Sequence, residues 1–388
     1  MLSNHIQRFG LLAIICCSLE SRVLFAQEYT FLRNIPASTE AKLQEPNSIA
    51  INAAEEVFVI ERGSKTIQQF DALGKVKKSI NSIKTIDGLL NLKDPQYIYI
   101  DKFDNLYVYD RGLGKIIVSY ARGGGMSFVE KGNQLGQSDQ IKGIVADDQG
   151  NIYVLNASRK QVDIYDAKGE FLSWYAGGFE SFVNPLSIAI SGNNEIYILE
   201  SKGPSIIMFD VNGNQTNFHR NFSQWEGAYM EDPIALGVFK NGDFLVLDKK
   251  TTRTVHFSRT GRVLGSFGAK GASGPGVFAS AINICTAAAT ANQVLVLDAV
   301  SLNVQLFNVE SSSPSIPAHL KRMRMQSMGT SRPPSLDLAM TTDGVRFSIP
   351  IKNHQMVIAY GDTSSNEKFI INSAFKDAVA LAVDRSNN

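Results

Sequence analysis

The 388-residue chain is poor in the side chains that usually announce chemistry: three cysteines, two tryptophans and five histidines. Cys16 and Cys17 stand side by side in an N-terminal apolar run, so a chain without that run keeps only Cys285. One cysteine forms no internal disulfide, and stability has to come from packing. The histidines, His5, His219, His256, His319 and His354, are scattered with no shared spacing. A lyase-type zinc site needs three or so converging on one point, which this pattern does not supply. Charge of one sign is lacking too: thirty-eight basic residues oppose thirty-seven acidic ones, a net +1. Nothing in that balance argues for a polybasic membrane anchor or a nucleic-acid partner. No apolar run approaches the roughly 20 residues needed to span a bilayer. What the chain does have is 44% hydrophobic residues, enough for a substantial core.

The first residues place His5 and Arg8 ahead of the apolar run Leu11 to Leu19, with a cleavage position after Ala26. This is the layout of a signal peptide over residues 1–26, although Glu20, Arg22 and Leu24 depart from its usual form. The expected mature protein, residues 27–388, is secreted, periplasmic or displayed at the cell surface.

Within that region a phrase recurs. The stretches opening at Pro46, Pro95, Lys142, Pro185, Pro233, Ala279, Pro333 and Ala378 follow one another at 49, 47, 43, 48, 46, 54 and 45 residues. Each begins with a short apolar strand, passes a polar turn to a second, and continues through two alternating strands separated by turns such as those at Gly74, Gly150 and Gly169. Four short strands repeated every 40 to 50 residues, with no helical period, predict an all-β propeller of four-stranded blades. Seven complete repeats and the start of an eighth are readable, which leaves six to eight blades.

The segments DDQGNIYVLNASRKQVDIYDAKGEFL from Asp147 and HFSRTGRVLGSFGAKGASGPGVF from His256 resemble NHL repeats, a six-bladed-propeller class. The resemblance covers residues 29–310 well and 333–388 weakly. It implies the fold but no single activity, since such propellers include lyases, lactonase-like hydrolases, RNA binders and scaffold modules. The basic residue that the family carries just before the third strand is kept as Lys115 and shifted in Lys65 and Arg253.

Three features concern the ends. Tyr29 to Ile35 reads as a lone strand that completes the ring by joining a last blade drawn from the C-terminus. Residues 311–334 are irregular, either an outer strand or a linker between propellers. The chain stops at LAVDRSNN where earlier units run on into a second strand, which reads as truncation within a repeat.

Candidate sites are few. Glu61, Asp110, Asn156, Glu200, Asp248 and Asp298 occupy one equivalent position directly after the second strand. They form either a ring of cation ligands or, the preferred reading, a set of acceptors each capping its own turn. The turns between second and third strands carry Arg62, Lys65, Arg111, Lys115, Arg159, Lys160, Lys202, Lys249, Lys250 and Arg253. Acidic turns between first and second strands, with Glu56, Asp104 and Asp148 among them, face the other way. Either these are ordinary solvated turn charges, the preferred reading, or one face is basic and the other acidic, the blade-to-blade loops diluting the first. Trp225 and Tyr229 are aromatic candidates for the basic face, while Trp174 is expected between blades.

These features point to a non-catalytic binding or scaffold propeller. It would engage a protein, peptide or glycan, anionic in character, through Arg62, Arg111, Lys115, Arg159, Lys160, Lys249, Lys250, Arg253, Trp225 and Tyr229. No catalytic residue, metal ligand or cofactor is expected, and no membrane span. The alternative is a metal-dependent propeller enzyme, an amidating-lyase-like or lactonase-like hydrolase.

Overall fold

The computed structural model describes residues 29–37, 42–176, 182–201, 203–222, 228–287 and 292–309 in full, and Glu28, Glu310 and four later strands by their backbone. The signal-peptide segment, Trp225, and the irregular stretch 311–334 lie outside the described residues. The chain divides into two compact units at residues 312 and 313.

The first unit is a propeller of six four-stranded blades. Blade 1 consists of Pro46–Ile51, Val57–Glu61, Thr66–Phe70 and Val76–Ile80. Blades 2 to 5 repeat the order from Pro95, Ile141, Pro185 and Pro233. Blade 6 takes three strands, Ala281–Thr286, Gln293–Asp298 and Asn303–Glu310, from its own repeat. Its outermost strand is Glu28–Ile35, antiparallel to Asn303–Glu310 with Tyr29 opposite Val309 and Ile35 opposite Val304. The ring thus closes at six blades, within the six to eight left open by the repeats, and on the sixth repeat rather than on a C-terminal one. The seventh repeat forms a separate four-stranded sheet, Ser335–Met340, Arg346–Pro350, Met356–Tyr360 and Lys368–Ile371, within the second unit.

The blades form because their sequence alternates within strands and breaks on acid-led turns. In Asp71–Gly74, Asp147–Gly150, Asp166–Gly169 and Asp210–Gly213 the leading carboxylate accepts backbone N–H groups two and four residues on. The closing glycine stands at φ 80 to 88°, the left-handed region that disfavours a side chain. Every blade is apolar on both faces, so the core is divided into six wedges, one between each pair of neighbours. Successive inner-strand residues point to opposite wedges: Ile49 and Ile51 join the wedge with blade 6, Ala50 the wedge with blade 2. The nearly continuous hydrophobicity of these strands reflects burial on two sides.

The outer strands have only one neighbour, and exposure there follows. Trp174 was expected between blades; on the edge strand Phe171–Tyr175 it is 48% exposed, beside Leu172 at 55%.

His256, on the third strand of blade 5, lies at the closure. Its Nδ1 is 3.1 Å from the Tyr29 hydroxyl of the N-terminal strand, and its Nε2 is buried without a hydrogen-bond partner. Burial pulls its pKa down from 6.5 to about 3. The folded ring holds the imidazole neutral while the unfolded chain takes up a proton below the ordinary value. Its contribution to stability is therefore full above about pH 6.5 and lost as pH falls toward 3. Between pH 7 and 4.5 this residue should account for a loss of about 2–3 kcal/mol. Urea midpoints of the wild type and His256→Gln at the two pH values measure it, and equal pH dependence in both would refute the assignment.

Candidate functional site

The six inner strands begin at one mouth of the central channel, and the turns after the second strands reach the same end because each pair is antiparallel. Every inner strand carries a register break at its start. The residue at that break is Asn47, Gln96, Lys142, Leu186, Ile234 or Ile282, and all six are partly exposed. The mouth is polar over blades 1 to 3 and apolar over blades 4 to 6. Asn47 Nδ2 donates to the Gln96 carbonyl at 2.7 Å, tying the first two blades together at the opening. Leu186, Ile234 and Ile282 pack onto the wedges behind them. Lys142 is the only charged side chain in the six inner strands.

The equivalent residues after the second strands act as staples. Asp298 accepts from the backbone N–H of Ala279, Ser280, Val300 and Ser301 and from the Ser301 hydroxyl, at 2.6 to 3.1 Å. Asp248 does the same for Glu231, Asp232 and Thr251, and Asp110 for Lys93, Asp94 and Leu113. Glu200 accepts from Val183 and Asn184, and Glu61 from Gln44 and Ser64. Each carboxylate joins its own turn, the loop entering its blade, or both. All five are nearly or fully buried. In blade 3 Asn156 takes this position, donating to the Gln137 carbonyl and to Asp163. Asp163 is itself fully buried, and burial raises its pKa, partly offset by Asn156, Gln161 and Arg159. The sequence reading missed Asp163, because an acid in the alternating QVDIY strand looks like a solvent-facing residue. Asp110, Asn156, Asp248 and Asp298 accept backbone N–H groups of their own turns as the turn-capping reading expects, while the backbone N–H groups on Glu61 and Glu200 come from the loops entering their blades. No group of three or more His, Cys, Asp or Glu side chains able to hold a metal occurs among the described residues.

The predicted basic residues divide. Arg62 and Arg111 both converge on Asp94, at 3.6 and 2.7 Å, and Lys250 pairs with Glu231. Arg159 donates to the Asn133 carbonyl at 2.8 Å, and Arg253 to Ser266 Oγ at 2.7 Å. Lys115, Lys160, Lys249 and Lys142 have no carboxylate partner among the described residues. Tyr229 is 63% exposed. The blade-to-blade loops thus neutralise Arg62 and Arg111 through Asp94 and Lys250 through Glu231. On the opposite face four acids have ion-pair partners, Glu55 with Arg33, Glu56 with Lys77, Asp148 with Lys102 and Glu195 with Arg259, whereas Asp104 accepts only the Ala53 N–H among the described residues. The acidic face expected from the turn charges is partly compensated.

Cys285, the one cysteine among the described residues, lies on the inner strand of blade 6, where burial pushes its thiol up to about 12. It is not an activated nucleophile.

No family model matches the chain, and no curated protein matches it in sequence. Solved structures do. A Bacteroides thetaiotaomicron protein of unknown function is 14% identical with a TM-score of 0.54, the match covering 74% of this chain and 76% of that one. A gluconolactonase from Xanthomonas campestris is 13% identical with a TM-score of 0.50, covering 74% of this chain and 91% of the other. Identity this low shows a shared fold alone.

The staples supply a test. Asp298→Ala removes the acceptor of four backbone N–H groups and should cost about 2–4 kcal/mol, read from the urea midpoint. Millimolar calcium should leave the wild-type melting temperature unchanged. A rise of several degrees would mean that these carboxylates bind a cation, because a metal held only by the native state stabilises by mass action.

Proposed function

We propose that the protein is an exported NHL-type propeller that binds rather than catalyses, holding an acidic protein or peptide segment at the channel mouth. The observation carrying this reading is the chemistry of that mouth. The acids after its second strands are consumed by backbone N–H groups, its cations without an ion pair among the described residues include Lys142, Lys115, Lys160 and Lys249, and an apolar half-ring of Leu186, Ile234 and Ile282 faces the polar one. An anchor side chain on the apolar side and a carboxylate near the lysines would use both halves. A glycan would use only the polar half. Export rests on the layout of residues 1–26.

The enzyme alternative finds less support. A metal-dependent hydrolase needs oxygen or nitrogen ligands converging in the channel, whereas the inner strands offer no Asp, Glu or His.

Heparin serves as a simple anionic probe. The wild type should be retained at low salt and released near physiological ionic strength, where the screening length is about 8 Å. Reversing Lys115, Lys160 and Lys249 to Glu should abolish retention while changing stability by no more than about 0.5 kcal/mol per site. Reversing Lys168, Lys240 and Arg262, on the opposite face, makes the same change in net charge and should leave most of it. Equal losses in the two triple variants would show that net charge alone governs binding and would remove the mouth as the site.

A further inference from the structure

A second site lies at the outer rim between blades 1 and 2, independent of the mouth. The chain linking these blades folds into a hairpin, Ser82–Thr85 with Gly88–Asn91, that the repeat pattern does not contain. Ile83 and Leu92 are buried in the wedge between the blades. The Ile86 N–H donates to the Gly125 carbonyl at 2.9 Å, fixing the hairpin to the outer strand of blade 2. A Cβ at position 125 would stand 2.3 Å from the Val118 carbonyl oxygen and 2.8 Å from that of Lys84, so only glycine permits this approach.

Between hairpin and blades is a pocket of about 280 Å³. Its apolar lining residues are buried Leu106 and Ile83, partly buried Ile80, and Leu89, 65% exposed. Lys78 and Lys84 line it together with Ser82 and Ser119, and its lining contains no carboxylate. Neither lysine has an ion-pair partner among the described residues. Lys77, one residue away, is by contrast paired with Glu56. Two unneutralised ammonium groups beside an apolar floor favour a ligand with an anionic head and a hydrocarbon body. The volume falls just under that of sites for drug-sized molecules, roughly 300 to 1,000 Å³, which limits the body to a short one.

We propose that this pocket binds small carboxylates with a short apolar chain. The carboxylate lies between Lys78 and Lys84 within reach of the serine hydroxyls, and the chain rests on Ile80, Leu106 and Leu89.

Saturation-transfer NMR on the full chain with hexanoate, acetate and hexanol tests it. Hexanoate should bind with a dissociation constant on the order of a millimolar, as expected for so small a ligand. It should bind about fivefold or more tightly than acetate, which lacks the chain, or hexanol, which lacks the charge. The double variant Lys78→Glu with Lys84→Glu should weaken hexanoate about tenfold or more. Leu89→Asp, which keeps both lysines, should also weaken it, and the mouth variant at Lys115, Lys160 and Lys249 should not. Unchanged melting temperatures would establish that the variants are folded. Three outcomes overturn the proposal: equal binding of acetate and hexanoate, unchanged hexanoate affinity in the double variant, or no transfer at tens of millimolar ligand.

Discussion

A ring of blades is stable only if its last sheet finds its first, and here one antiparallel pairing performs the closure. Glu28–Ile35 docks on Asn303–Glu310 after the chain has travelled through five other blades. Ile35 is fully buried in the wedge between blades 6 and 1, and Tyr29 and Phe31 pack against the wedge between blades 5 and 6. Phe31 meets Phe307 edge-on at 5.8 Å, Tyr29 stacks on Phe267 at 4.7 Å, and its hydroxyl reaches His256. The two wedges on either side of blade 6 therefore depend on this long-range contact. Such pairings carry a high loop-closure cost before their packing is gained.

The same architecture determines where chemistry can sit. Inner-strand side chains are committed to the wedges, and the equivalent acids after the second strands are committed to backbone N–H groups. That arrangement holds the mouth loops to the sheets. What remains available is the residue at each inner-strand register break, which the ladder does not use. Those six positions vary in character, polar on three blades and apolar on three, while the frame beneath them is constant. Fixed staples beneath variable tips are the means by which one propeller frame can present different surfaces.

Much of this was legible beforehand. The 43- to 54-residue spacing and the Asp-led turns identified the blades, their strands and the equivalent acids. The fate of charges was not legible. Arg62 and Arg111 belong to different blades and meet on one carboxylate, Asp94, and no linear count of turn charges contains that convergence. Trp174 was misplaced because an alternating strand reads the same whether it is covered on two sides or lies on an edge. The hairpin at residues 82–91 escaped notice because a few extra residues in one unit hardly disturb the repeat.

By itself the sequence determined what depends on near neighbours along the chain: four strands per unit, the turns that join them, and the residue types at each equivalent position. Local hydrogen bonding and period-two burial act over a few residues, and both are written in the order of side chains. Only the tertiary structure decided how many units join the ring, which strand closes it, which cations keep a free charge and where a pocket opens. Those outcomes depend on distances between residues far apart in sequence, and a repeat specifies its own unit without stating which distant strand will pair with it.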